Sequence, residues 1–192
     1  MMLASHNSWS YATPKKWWMK LLKHAARCQA VDIKTQYEKY GVKCFDLRVR
    51  FSKSGIFQVV HGCIVYNITR CQLAEDLKYL DSKKDVRIRL LLDIRRENQY
   101  TYNQIAEFRK YCKDVQSTYQ NIRFWGGQNL YNHKCEYLFM YKPTCDEYYS
   151  SVRPPKFIDD WLPILYAKIN NKTILEEGTK KHFLMIDFVN IQ

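Results

Sequence analysis

Two histidines, an arginine and an aspartate in the first third of the chain are of types that do chemistry together. They are His6 in "MLASHNSW", Asp46 and Arg48 in "GVKCFDLRVRF", and His61 in "FQVVHG". Imidazoles change protonation near neutrality, so a pair of them can act as base and acid. A guanidinium presents a rigid fork of donors that matches the oxygens of a phosphate. Two imidazoles, a guanidinium and a carboxylate are the groups that cleavage of a phosphodiester calls for. His24, His133 and His182 have no such neighbours and read as surface or internally satisfied residues.

The segments around these residues look like strands that end in polar groups. Residues 2–6 form a short apolar run up to His6. "VKCFDLRVRF" alternates, which brings Asp46, Arg48 and Arg50 to one face of a strand. "SKSG" is a turn, and "IFQVVHG" returns as a third strand that ends at His61. "VRIRLLLDIRRE" is apolar enough for a fully buried strand, closed by Arg95, Arg96 and Glu97. "NIRFWGG" and "CEYLFMYKP" read as two more strands, and "HFLMIDFVN" as a last buried one carrying Asp187.

Helices are expected between the strands. Thr13-Pro14 reads as a cap followed by proline in the first turn, opening a helix through "PKKWWMKLLKHAARCQ". Its lysines and the adjacent Trp17 and Trp18 describe a basic amphipathic helix with two readings, one resting in a membrane interface and one packing a tryptophan onto the core. "IKTQYEKYG" is a shorter helix stopped by Gly41. Thr69 caps a helix over 69–82 with Leu73, Leu77 and Leu80 as its buried stripe. Residues 99–119 carry Ile105, Phe108, Tyr111 and Val115 at helical spacing, and "PKFIDDWLPILYAKI" reads as a proline-interrupted helix. Six or seven strands alternating with helices, polar at their C-terminal ends, predict an α/β fold: a small or irregular TIM-type (β/α) barrel over a single domain, 1–192.

Composition narrows the partners. Thirty-one Lys and Arg against nineteen Asp and Glu leave a formal charge of +12. That excess favours anions: a nucleic acid, an anionic membrane surface or a phosphorylated small molecule. The basic residues are spread along most of the chain, as they are on many soluble surfaces. Seven cysteines without a C-x-x-C pair argue against a zinc cluster or disulfide framework and for a reducing compartment. The start, "MMLASHNS", lacks the charged and apolar regions of a leader, and no stretch nears the ~20 apolar residues of a spanning helix. The expectation is a cytoplasmic chain, peripheral to a membrane if attached to one.

In these motifs the sequence resembles the catalytic X domain of the phosphatidylinositol-specific phospholipase C family, its bacterial, metal-independent branch in particular, in a short form. The resemblance rests on five features in order: His6-Asn7, "GVKCFDLRVR", His61-Gly62, "LLLDIRRE" and "LMIDFVN". It implies a PLC-like phosphodiesterase fold and a phosphorus–oxygen lyase reaction. His6 would be the base that activates a substrate hydroxyl next to the phosphodiester, and Asp187 would fix its tautomer. His61 would protonate the leaving oxygen, and Arg48, supported by Asp46, would stabilise the phosphate oxygens. Asn7, Arg95 and Glu97 would meet the substrate, and Trp17 and Trp18 the membrane interface. The product would be a cyclic phosphate and the substrate an inositol phospholipid.

The same resemblance bears on cofactors. Calcium-dependent relatives have a carboxylate where this chain has Arg48 and another where it has Arg95, so no metal is expected. Asn7 matches the calcium-type "SHN", which keeps calcium as the alternative. Residues 98–181 are shorter than their counterpart in the bacterial enzymes; Arg123, Trp125, Tyr141, Lys142 and Tyr166 are the candidates there for holding an inositol ring. Two other functions fit the composition: a nucleotide- or nucleic-acid-directed phosphodiesterase, since a ribose 2′-hydroxyl offers the same internal nucleophile, and a non-catalytic lipid-binding module on the same fold.

Overall fold

A computed structural model of the chain describes residues 2–21, 27–52, 54–93, 101–129, 135–137, 149–150, 162–177 and 183–191. Nine strands are seen among them: β1 (Met2–Ser5), β2 (Val42–Phe51), β3 (Phe57–His61), β4 (Ile64–Val65), β5 (Arg87–Asp93), β6 (Arg123–Asn129), β7 (Cys135–Tyr137), β8 (Tyr149–Ser150) and β9 (Phe183–Ile186). Four helices accompany them: α1 (Ile33–Glu38), α2 (Arg70–Asp81), α3 (Tyr102–Thr118) and α4 (Pro163–Glu177). The strands hydrogen-bond in the order β7-β6-β5-β2-β1-β9-β8, with β3 and β4 branching off β2.

The pairs β6–β5, β5–β2, β2–β1, β1–β9 and β9–β8 are all parallel. Parallel strands need crossovers, and α2 and α3 supply two of them. Both begin with reciprocal capping boxes, Thr69 with Gln72 and Thr101 with Gln104, which satisfy donors that a helix start leaves open. Leu73, Leu77 and Leu80 are buried as their spacing requires, and so are Phe108, Tyr111 and Val115. Leu90, Leu91 and Leu92 of β5 are fully buried, as expected of a strand covered on both faces. At Gly126 the backbones of β5 and β6 come so close that a Cβ would lie 2.6 Å from the Leu90 carbonyl oxygen.

Register explains why the chemistry collects at one end. Ser5, the last residue of β1, pairs with Phe45, so β2 runs on past β1 from Asp46 to Phe51. His6 emerges where that overhang begins. The face of β2 shared by Cys44, Asp46 and Arg48 is closed below by a small apolar cluster of Ala4, Cys44, Trp125 and Met185. Burial pushes the Cys44 thiol up to about 12, with the Asp46 charge adding to the effect, so that cysteine is an inert piece of core.

One expected helix differs. No amphipathic α-helix starts at Pro14. Pro14 instead bridges Tyr66, with Lys15 N–H on the Val65 carbonyl at 2.8 Å and Asn67 N–H on that of Thr13 at 2.8 Å. Pinned to β4 in this way, the segment reaches Lys16 extended and makes only one 3-10 turn, Trp17–Lys20. Residues 22–26 lie outside the described residues. Of the expected proline-interrupted helix, residues 155–161 lie outside the described residues, and Pro163 opens α4, where its missing N–H costs nothing. None of the described helices is long and apolar enough to cross a membrane.

Candidate active site

The site begins with the turn after β1. His6 N–H is fixed to the Ile186 carbonyl at 3.0 Å, and the chain then bends through Asn7 in the left-handed region, at φ 43° and ψ 58°. Asparagine enters that region more readily than most residues, and hydrogen bonds on both sides hold it there. Asn7 N–H donates to Asp46 Oδ2 at 3.1 Å, and Ser8 Oγ accepts from Asp46 N–H at 2.8 Å while donating to the Ser5 carbonyl at 2.9 Å.

A second clamp holds the other strand. Gln29, fully buried, donates from Nε2 to the carbonyls of His6 and Ile186, both at 3.1 Å, and its Oε1 accepts from Val189 N–H at 3.1 Å. Phe188 follows Asp187 at φ 48°, again left-handed, with its N–H on the Cys28 carbonyl at 2.6 Å. Asn171 of α4 donates to the Asp187 carbonyl at 2.8 Å and that of Ile191 at 2.7 Å. The first and last strands thus present His6 and Asp187 side by side.

The resulting chain of contacts is continuous. His6 Nδ1 lies 2.7 Å from Asp187 Oδ1, and Arg48 Nη2 donates to His6 Nε2 at 2.7 Å. Because a carboxylate only accepts and a guanidinium only donates, these two neighbours fix the neutral imidazole with its proton on Nδ1 and its lone pair on Nε2. Arg48 Nε also donates to Asp46 Oδ2 at 2.9 Å. Asp46 is fully buried, which by itself raises a carboxyl pKa, but Arg48, then Arg89 and His6, outweigh burial and hold it well below the usual range. Burial likewise opposes the Arg48 charge, and Asp46 and Asp93 overcome that opposition.

His61 completes the group from the other side. It ends β3, and the following Gly62, at φ 57°, donates its N–H to Asp93 Oδ2 at 2.6 Å, tying the turn to the end of β5. The rings of His6 and His61 stand edge to face with centroids 5.7 Å apart. Cys28 Sγ lies 3.8 Å from His61 Nδ1. The amide of Asn7 is buried at 1% exposure, and neither of its side-chain atoms has a hydrogen-bond partner among the described residues.

Of the expected site residues, His6, Asn7, Asp46, Arg48, His61 and Asp187 come together, whereas Arg95 and Glu97 lie outside the described residues. Trp17 and Trp18 are 75% and 41% exposed. The candidates for a ring pocket fare differently. Arg123 starts β6 opposite Arg87, at the end of the strands away from the site. Tyr166 is buried in the main core, and Trp125 in the small apolar cluster, with the Arg89 guanidinium over its ring at 5.4 Å. Trp125 and Tyr166 are thus closed off from solvent, and Arg123 is exposed but far from the site; Tyr141 and Lys142 lie outside the described residues. Cys28, Gln29, Arg89 and Asp93 were not anticipated. Arg89 had a signal, its alternation with Arg87 in "VRIRLLLD"; Cys28 and Gln29, which close the helix expected from Pro14, had none.

The oxygens of the site are unequally engaged, since Asn7 Oδ1 and Asp46 Oδ1 have no hydrogen-bond partner among the described residues. Asp46 is held by Arg48 and Asn7 N–H, Asp187 by His6, and the guanidinium lies among them. A calcium ion takes six to eight oxygens, and here the Arg48 guanidinium occupies the space between the two carboxylates.

No protein-family model and no curated protein matches the chain. Solved structures do. A pentafluorophenylalanine-bearing phosphatidylinositol-specific phospholipase C from Staphylococcus aureus aligns over 97% of this chain and 85% of its own, with a TM-score of 0.61 at 16% identity. A histidine-to-tyrosine mutant of the same S. aureus enzyme aligns over 97% and 84%, with a TM-score of 0.61 at 18% identity. A third structure, from work on modulating that enzyme's membrane binding, gives 0.59 at 16% identity, over 97% of this chain and 85% of its own. The fold of this chain is therefore that of phosphatidylinositol-specific phospholipase C, an α/β barrel type, in a small and irregular form.

Proposed function

We propose that the chain is a phosphodiesterase of the phosphatidylinositol-specific phospholipase C type, cleaving an inositol phospholipid without a metal. The observation that carries this reading is the Asp187–His6–Arg48–Asp46 chain with His61 facing it. His6 Nε2, its lone pair exposed once Arg48 Nη2 turns to the phosphate, takes the proton of a substrate hydroxyl next to the phosphodiester. That oxygen attacks phosphorus, the bond to the leaving oxygen breaks, and His61 supplies the leaving oxygen with a proton. The attack is intramolecular, so the nucleophile arrives already positioned, and the product is a cyclic phosphate. Arg48, kept charged by Asp46, meets the growing charge on the phosphate oxygens, the task a calcium ion would otherwise perform.

The excess positive charge and the exposed Trp17, Trp18 and Leu21 favour work at an anionic bilayer. The neighbouring structures offer nothing for a nucleic acid substrate. The test is hydrolysis of phosphatidylinositol in vesicles and of a soluble inositol phosphodiester. His6→Ala and His61→Ala should each lose about 10²–10⁴-fold in rate on both. The double change Trp17→Ala, Trp18→Ala should slow only the vesicle reaction. Full activity in either histidine variant would sink the acid–base assignment, and equal loss in both assays by the tryptophan pair would sink the membrane role.

A further inference from the structure

Cys28 has no part in the mechanism above, yet its thiol faces the reacting groups. A nitrogen of His6, Cys28 Sγ and a nitrogen of His61 all lie within 4.8 Å of one another. We propose that these three side chains form a binding site for a thiophilic divalent cation of the zinc type, and that the bound ion switches the site off.

The ligand chemistry selects the ion. Two imidazoles and a thiolate suit zinc and cobalt, and offer none of the oxygens that calcium or magnesium require. Tetrahedral zinc, with Zn–S of about 2.3 Å and Zn–N of about 2.0 Å, separates sulfur from nitrogen by roughly 3.5 Å. Cys28 Sγ and His61 Nδ1 are already 3.8 Å apart. The His6 nitrogen lies within 4.8 Å of both other ligand atoms, and a rotation about side-chain bonds brings it in to the separation that zinc requires.

The supports of such a site are present. Asp187 on His6 Nδ1 is the carboxylate behind a metal-bound histidine that fixes the ring and strengthens its other nitrogen. Cys28 is fixed by its backbone: its N–H donates to Ser10 Oγ at 2.9 Å, and its carbonyl accepts from Phe188 N–H at 2.6 Å. Cys28 is 3% exposed, and the two histidines are half-buried, so the ion enters through the mouth of the site and keeps a fourth position open. On binding, the thiol gives up its proton and the thiolate bonds the ion.

Arg48 sets the strength. With Nδ1 held by Asp187, the ion takes Nε2 and must displace Arg48 Nη2, leaving a guanidinium beside a cation. Binding is therefore reversible, a brake and not a resident cofactor. Inhibition, which rests on the proposed function, follows because the lone pair that accepts a proton and the imidazole that donates one are both tied up.

The experiment is a cobalt titration of the full chain after EDTA treatment and dialysis. The expected spectrum has visible bands of tetrahedral cobalt and a near-ultraviolet thiolate-to-cobalt charge-transfer band, both displaced by zinc. Cys28→Ser should lose the charge-transfer band, whereas Cys63→Ser and Cys71→Ser should keep it. Zinc absorption spectroscopy on the unaltered chain reads the same site without a variant: one sulfur at about 2.3 Å with nitrogen in the shell is expected. In the phosphatidylinositol assay, the zinc concentration for half-inhibition should rise at least tenfold in Cys28→Ser, each protein being normalised to its own metal-free rate. A zinc shell without sulfur, a charge-transfer band that survives Cys28→Ser, or equal zinc sensitivity in both proteins would overturn the proposal. A chain that binds cobalt through Cys28 but cleaves no phosphodiester would uphold the site and refute the proposed function instead.

Discussion

His6 and Asp187, 181 residues apart in sequence, meet at 2.7 Å between Nδ1 and Oδ1, each followed by a residue in the left-handed conformation. The first strand and the last are parallel neighbours, and their chains turn away together just after these two side chains. Asp187→Asn keeps the size of the side chain but can present N–H to Nδ1, favouring the wrong tautomer of His6. The variant should fold and bind vesicles as the unaltered chain does and lose at least ~10²-fold in kcat, with KM little changed, because the interaction lost belongs to the transition state. A loss confined to KM would assign Asp187 to substrate binding.

Arg48 holds Asp46 through Nε and His6 through Nη2, and the proposed mechanism has Nη2 pass from His6 to the phosphate. Lysine carries the charge but has a single flexible ammonium. Arg48→Lys should therefore cost about 10²–10³-fold in kcat, in line with the loss of one oriented donor to a developing oxyanion. Activity within a factor of three of the unaltered chain would reduce Arg48 to a point charge.

Asp46 gives the stability curve its slope in acid. Its carboxyl stays ionised in the folded chain well below the ordinary range, whereas in the unfolded chain it takes up a proton near pH ~3.9. The unfolded state then binds more protons, so this group's contribution is whole above that pH and falls by about 1.4 kcal/mol per pH unit below it. Asp46→Asn removes the group, so urea unfolding at pH 4 and pH 3 should show a shallower decline in the variant than in the unaltered chain. Parallel declines would mean that the Asp46 charge is not specially held.

Much of this arrangement is legible in the sequence where local pattern and burial agree. The alternation of "VKCFDLRVRF" brings Asp46 and Arg48 to one face because a strand has a period of two and this one is ten residues long. Thr69 and the leucines after it specify a helix at both the local and the packing level. Pro14 reads wrongly for a physical reason: its favourable local signals lose to the pairing of Lys15 and Asn67 with partners some 50 residues away. Cys28 and Gln29, which close the helix expected from Pro14, lie instead on irregular backbone without a period, and their roles come from where Ser10, Phe188 and Val189 hold them. Tyr166 and Trp125 looked like aromatic contacts for a sugar ring but are core, as large aromatics more often are.

The most direct test of the central claim is phosphorus NMR of the purified chain with phosphatidylinositol vesicles in excess EDTA. Metal-free catalysis by His6, His61 and Arg48 requires a cyclic inositol phosphate resonance to grow at full rate, unchanged by added calcium and absent with His6→Ala. No turnover until calcium is supplied would contradict the assignment of the metal's task to Arg48. A phosphate monoester appearing with no cyclic product before it would contradict the internal nucleophile.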